Sequence, residues 1–115
     1  MHELSIALSL LDGVTEAARR EGAARVSAVH VRIGALSGIA PEALAFSWQM
    51  AAANTVADGS RLEIEHVPLA VFCERCASEQ LPAPGTGLLC PACACPAPQI
   101  VRGRELLLTA MEIAG

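Results

Sequence analysis

The chain is 115 residues long, which suits one small domain with room for an inserted subdomain. It is 53% hydrophobic and 17% charged, a balance that excludes a disordered chain. Net charge is −4, all eight basic residues are arginine, and only Arg19 and Arg20 adjoin, which argues against a nucleic-acid surface. No apolar run is long enough to span a membrane.

The chain starts Met1-His2-Glu3. An imidazole in second place beside a free amine, with the intervening amide nitrogen, can close fused chelate rings on one small cation. Flat nitrogen donors of this kind suit nickel(II) or copper(II). Met1 is expected to be retained, because histidine is not a small residue. Binding has to displace protons from an amine of ordinary pKa about 8 and an imidazole of about 6.5, so affinity should rise with pH. A terminal site is also exposed and directly reachable by a partner.

Leu4 to Arg20 reads as an amphipathic helix. Leu4, Ala7, Leu8, Leu11, Val14 and Ala18 supply the expected buried stripe, and Gly22 the stop. Arg25 to Ile33 alternates Val29, Val31 and Ile33 against His30 and Arg32, as a strand does. A loop over 34–38 follows. Pro41 fits the first position of a second helix running to about Asn54, with Leu44, Phe46, Trp48, Ala51 and Ala52 expected to be largely buried. After the Asp58-Gly59 turn, Arg61 to Val67 alternates again and reads as a strand with one wet face. Aromatics are scarce, so the core must be aliphatic.

Composition changes at Pro68. Every cysteine lies beyond it, and Pro84, Gly85, Gly87, Pro91 and Pro96 crowd the stretch between Pro82 and Pro98. Cys73-x2-Cys76 and Cys90-x2-Cys93, separated by thirteen residues, supply four thiolates that can converge on one tetrahedral ion, for which zinc is the default. Two disulfides or a redox CxxC are the alternatives, although a redox pair normally stands alone. The segment has little core-forming pattern of its own, so a structural zinc would supply the missing folding energy. Glu105 to Ile113 returns to strand character.

The expected fold is therefore α+β: a small mixed three-stranded sheet with two helices, plus an inserted zinc-ribbon subdomain. Residues 1–67 and 102–115 would form a nickel-binding α/β domain, and 68–101 the zinc-binding subdomain. The start of the chain lacks the basic region of a secretion signal, and Asp12, Glu16 and two arginines interrupt the apolar pattern. The expected compartment is the cytoplasm, where reduced thiols favour metal binding.

Met1-His2-Glu3, Ile33-Gly34-Ala35-Leu36-Ser37, Pro41-Glu42-Ala43-Leu44, the cysteine quartet and Gly103-Arg104-Glu105-Leu106 together resemble the HypA/HybF family of hydrogenase nickel-incorporation proteins. The resemblance spans essentially the full length. It implies a metallochaperone, not an enzyme, that passes Ni(II) to the [NiFe]-hydrogenase large subunit precursor. It implies work with a HypB-type nickel GTPase and, in some organisms, with urease maturation proteins. It assigns nickel to His2 and Glu3 with the Met1 amine, and zinc to Cys73, Cys76, Cys90 and Cys93. Some members add an acidic residue before the second helix; here Glu42 is the only acid nearby. Ala94-Cys95 departs from the family's usual Gly-Ser and adds a fifth thiol.

The residues show no catalytic constellation and no phosphate-binding Gly-rich loop. A zinc-ribbon adaptor binding protein or nucleic acid without metal transport is the competing reading. A thiol–disulfide enzyme is the third.

Overall fold

The computed structural model describes residues 3–83 and 85–114, so Met1 and His2, with the terminal chelate assigned to them, lie outside the described residues. The chain order is α1 (Glu3–Glu21), β1 (Arg25–Gly34), α2 (Pro41–Ala52), β2 (Arg61–Val67), β3 (Ala70–Cys73), β4 (Ser78–Gln80), β5 (Gln99–Arg102) and β6 (Leu106–Ala114). It divides into two compact units, one of residues 1–32, 38–65 and 107–115, the other of 33–37 and 66–106.

In the first unit, α1 ends where the sequence supplies a left-handed residue. Gly22 has φ +65°, its N–H donates to the Arg19 carbonyl at 3.2 Å, and the Ala23 N–H donates to the Ala18 carbonyl at 2.9 Å. Together these bonds make a Schellman motif, satisfying carbonyls that the last turn leaves open. The buried stripe differs from the expected one. Ile6, Ala7, Leu10, Val14 and Ala18 are buried, whereas Leu4 and Leu8 are 40% and 48% exposed. Residues 4–11 carry apolar side chains on most of the helix circumference, so periodicity alone offers two stripes, and packing selects the one spaced at i, i+4 through Val14 and Ala18. In α2 the buried residues are Leu44, Trp48 and Ala52. Phe46, expected inside, is 64% exposed, because it stands two residues from Leu44 and so on the opposite side of the helix. Trp48 is buried and its indole N–H donates to Ser60 Oγ at 2.9 Å, which satisfies the one polar atom that its burial would otherwise strand.

β1 is central in the sheet, whose order is β2-β1-β6. Ser27 Oγ donates to the Glu112 carbonyl and Thr109 Oγ1 to the His30 carbonyl, both at 3.2 Å, so β6 runs antiparallel to β1. Arg32 meets Glu65 at 3.4 Å and the Ala35 N–H donates to the Val67 carbonyl at 2.9 Å, positions that ascend together as in a parallel pair. The sheet is thus mixed, as expected. One face carries a charged cluster in which Glu112 Oε2 lies 2.8 Å from His30 Nε2 and 3.5 Å from Arg61 Nη2. The His30 contact, opposed by partial burial and aided by Arg61, holds the Glu112 carboxyl below its ordinary pKa.

The second unit has a sheet of its own, which the sequence pattern does not announce. Its order is β4-β3-β5 with both pairs antiparallel, and the register places Phe72 opposite Glu79 and Cys73 opposite Ser78. At three to four residues these strands are too short for alternation to register in the sequence. Chain crossings also explain two of the motif pieces. Leu36 N–H donates to the Gly103 carbonyl at 2.6 Å and Gly34 N–H to the Glu105 carbonyl at 2.8 Å. A Cβ on Gly34 would sit 2.2 Å from the Gly103 carbonyl carbon and oxygen, so no other residue fits there.

Candidate metal centre

Each CxxC pair is delivered by a tight turn. Cys73 closes β3, and the next residues fold back so that the Cys76 N–H lies 3.4 Å from Cys73 Sγ. The Ala77 N–H donates to the Glu74 carbonyl at 3.3 Å, and in the second turn the Ala94 N–H donates to the Cys90 carbonyl at 2.8 Å. Ala77 and Ala94 follow the second cysteine of their pairs and both have positive φ, +53° and +61°. That conformation suits glycine and strains alanine. The chain therefore carries local strain in both turns that hold the cysteines.

The result is convergence. The sulfurs of Cys73, Cys76, Cys90 and Cys93 all lie within 4.8 Å of one another, with Cys73–Cys93 at 3.6 Å and Cys76–Cys90 at 3.9 Å. A tetrahedral zinc with Zn–S of about 2.3 Å needs sulfurs about 3.8 Å apart, so the quartet fits that ion. All five cysteines are free. Cys73 and Cys90 are buried, Cys76 and Cys93 half-buried. The apolar cluster of this unit consists of Val71, Ala97 and these same cysteines, with Leu69, Leu88 and Ile100 packed around them.

Electrostatics point the same way. Burial alone would raise the Cys90 thiol, but the backbone N–H groups of Cys93 and Ala92 face its sulfur and bring it down to about 7. At Cys93 the backbone N–H of Cys95 favours the thiolate, yet burial and the neighbouring sulfurs outweigh it and push the thiol up to about 12. Cys76 is raised too: the Cys93 contact lowers it, and Cys73, burial and Cys90 overcome that. The Cys90 thiolate is favoured, while Cys76 and Cys93 resist ionisation beside it. A dication held by the four sulfurs would remove that conflict by favouring the thiolate forms.

Cys95 stands outside the quartet. Arg75 Nη1 donates to its sulfur at 3.3 Å, and that contact is the main reason the guanidinium pKa is raised. No spacing rule would have paired these two residues. His66 is exposed on β2, and the potential metal-holding group found among the described residues is made of the four cysteines alone. At the other end of the chain, Glu3 opens α1, and its Oε2 accepts a hydrogen bond from the Ala40 N–H at 3.2 Å. Glu42 is exposed in the first turn of α2.

Residues 1–113 match the family described as hydrogenase/urease nickel incorporation, metallochaperone, hypA. The chain belongs to the HypA family. It is 46% identical over 112 residues to the hydrogenase maturation factor HypA of Roseiflexus sp. (strain RS-1), covering 97% of this chain and 91% of that one. It is 47% identical over 112 residues to the HypA of Chloroflexus aurantiacus (strain ATCC 29366 / DSM 635 / J-10-fl), covering 97% and 98%. The solution structure of the nickel metallochaperone HypA from Helicobacter pylori superposes with a TM-score of 0.69 over 98% of this chain and 97% of that one. At 24% identity that likeness speaks for the fold. The HypA family is one of metallochaperones and not of enzymes. Among the described residues no helix is long and apolar enough to cross a membrane.

Proposed function

We propose that this protein carries Ni(II) on its N-terminal tripeptide and delivers it to the [NiFe]-hydrogenase large subunit precursor. The Met1 amine and His2 form the chelate, and Glu3 is the third residue of the site. Residues 1–67 and 102–115 serve as the nickel-binding α/β domain, and 68–101 as the zinc-binding subdomain. Cys73, Cys76, Cys90 and Cys93 hold a structural Zn(II), which supplies folding energy and no reaction step. A HypB-type nickel GTPase is the partner for hand-over, urease maturation proteins are a second set of partners, and the cytoplasm is the site of action. The GTPase supplies any nucleotide hydrolysis, since this chain offers no phosphate-binding Gly-rich loop.

The observation that carries this reading is the match over residues 1–113 to a nickel-incorporation family, in a chain that begins Met1-His2-Glu3. The closed four-sulfur cluster supports the division of labour. Its four donors complete a tetrahedral site and leave no open position for cargo, so the transported ion belongs elsewhere.

Calorimetric titration of nickel into zinc-loaded protein with an untagged N-terminus, beside His2→Ala, tests it. Stoichiometric binding that disappears in the variant is expected. Equal binding by both proteins, or none by either, would leave a zinc-ribbon adaptor as the better description.

A further inference from the structure

The sheet of the first unit, in the order β2-β1-β6, has two edges, and they differ in chemistry. An edge strand offers unpaired N–H and C=O groups to any extended chain, and proteins guard such edges with charged side chains, proline or a covering segment. β2 is guarded in this way, since Arg61, Glu63 and Glu65 recur at every second position and all are exposed. β6 carries little of this protection. Its nine residues, Leu106–Ala114, include no proline, lysine or arginine, and its one charge is Glu112. That carboxylate is drawn inward over the face of its own sheet, lying 2.8 Å from His30 Nε2 on β1 and 3.5 Å from Arg61 Nη2 on β2. Leu107 and Ile113 are 49% and 44% exposed. An open cleft of about 450 Å³, lined by Met111 and Ile113 of β6 and by Ala17, Arg20 and Glu21 of α1, leaves this end of the strand uncovered.

We propose that β6 is the docking edge for a second copy of this chain, the two strands pairing antiparallel about a twofold axis to join two three-stranded sheets into one of six strands. A twofold interface must be self-complementary. β6 meets that demand because it is apolar along most of its length and its single charge is balanced within its own chain. It offers no unbalanced charge by which a charged partner of another kind would be selected. The register that pairs the whole strand turns about Ala110. It sets Leu107 of one copy opposite Ile113 of the other. It also keeps the two Glu112 carboxylates about 13 Å apart along the strand, at a rise of ~3.4 Å per residue, so like charges do not meet across the pair. One partner uses up the edge, and the assembly closes at two. A strand pair of this length is a small interface, so monomer and dimer should exchange, with dissociation on the order of 10 μM.

Sedimentation velocity of the zinc-loaded full chain from about 1 μM to about 500 μM, with amide exchange at both ends of that range, tests the pairing. A monomer–dimer equilibrium is expected, in which β6 amides slow as concentration rises while β2 amides do not change. Leu107→Lys and Ile113→Lys each place a charge on the edge at an exposed position. Each should weaken association about tenfold or more, with zinc content and circular dichroism unchanged. Leu107→Glu combined with Ile113→Lys puts opposite charges across the axis in both halves and should recover association. A monomer throughout the range overturns the proposal. Growth to larger species without a dimer does so too, since that is open-ended edge aggregation. A dimer whose β6 amides exchange at the same rate as in the monomer would lie on another surface and would also overturn it, whether or not the variants fold.

Discussion

The two units of this chain are held together by different physics. The helix-and-sheet unit buries Trp48, Leu44, Val14, Val26, Val29 and Val31 almost completely. The other buries Ile33, Val67, Ala70, Val71 and Ala97 beside Cys73 and Cys90 of the candidate metal centre. The first unit therefore folds mainly by removing apolar surface from water, whereas the second gathers four thiols able to hold an ion into its interior. A small segment that cannot bury enough apolar area turns to metal for the difference.

The largest expected effect comes from breaking the metal unit. Cys73→Ser or strong chelation should abolish zinc retention and remove exchange protection from β3 and β5, while the central β1 amides stay protected. Structural zinc of this kind is worth about 10–16 kcal/mol in small peptides, far more than any single side chain. Native-state hydrogen exchange reads both halves of the contrast, and uniform loss of protection would show that the two regions do not differ in this way.

The complementary break is Trp48→Ala. It removes the largest side chain buried in the aliphatic unit and deprives Ser60 Oγ of its donor. A cost of about 3–5 kcal/mol is expected, with zinc stoichiometry unchanged. Denaturant melts beside a zinc assay measure the two together.

A smaller effect should go the other way. Ala77 and Ala94 are strained by about 1–2 kcal/mol each, against an entropic cost of about 0.5–1 kcal/mol for glycine. Ala77→Gly and Ala94→Gly should each stabilise the metal unit slightly, seen as slower zinc loss to a competing chelator. Faster loss would place the strain elsewhere.

The smallest effect concerns the charged face of the sheet. The folded pKa of Glu112 is depressed by His30, and Arg61 adds to this. Its contribution is therefore present above the ordinary carboxylate pKa and is lost as pH falls through the depressed folded value. Glu112→Gln should be less stable than wild type at neutral pH and equal to it in strong acid. A difference independent of pH, in urea midpoints, would assign the effect to packing.

Much of this was legible in the linear chain because the relevant spacings are local. The CxxC pairs, the Gly22 stop and the start of α2 at Pro41 each depend on neighbours within a few residues, where backbone sterics and turn geometry decide the outcome. The two helices, the mixed sheet and the inserted cysteine segment could be read from such signals. Which stripe of α1 faces inward could not, since Leu4, Ile6, Leu8 and Leu10 are equally apolar and the neighbouring strand and helix make the choice. Phe46 lies outside the core for the same reason: hydrophobicity names candidates for burial, and helix phase against a packed partner selects among them. The second sheet was hidden by strands too short to show a period. The Glu3–Ala40 and Arg75–Cys95 contacts join residues far apart in sequence, so only tertiary structure brings them together. The sequence by itself determined which four thiols form the candidate metal centre, because donor identity and short spacing are written in it. Tertiary structure decided which groups that chemistry leaves engaged, because burial and long-range hydrogen bonds exist only once the chain has closed on itself.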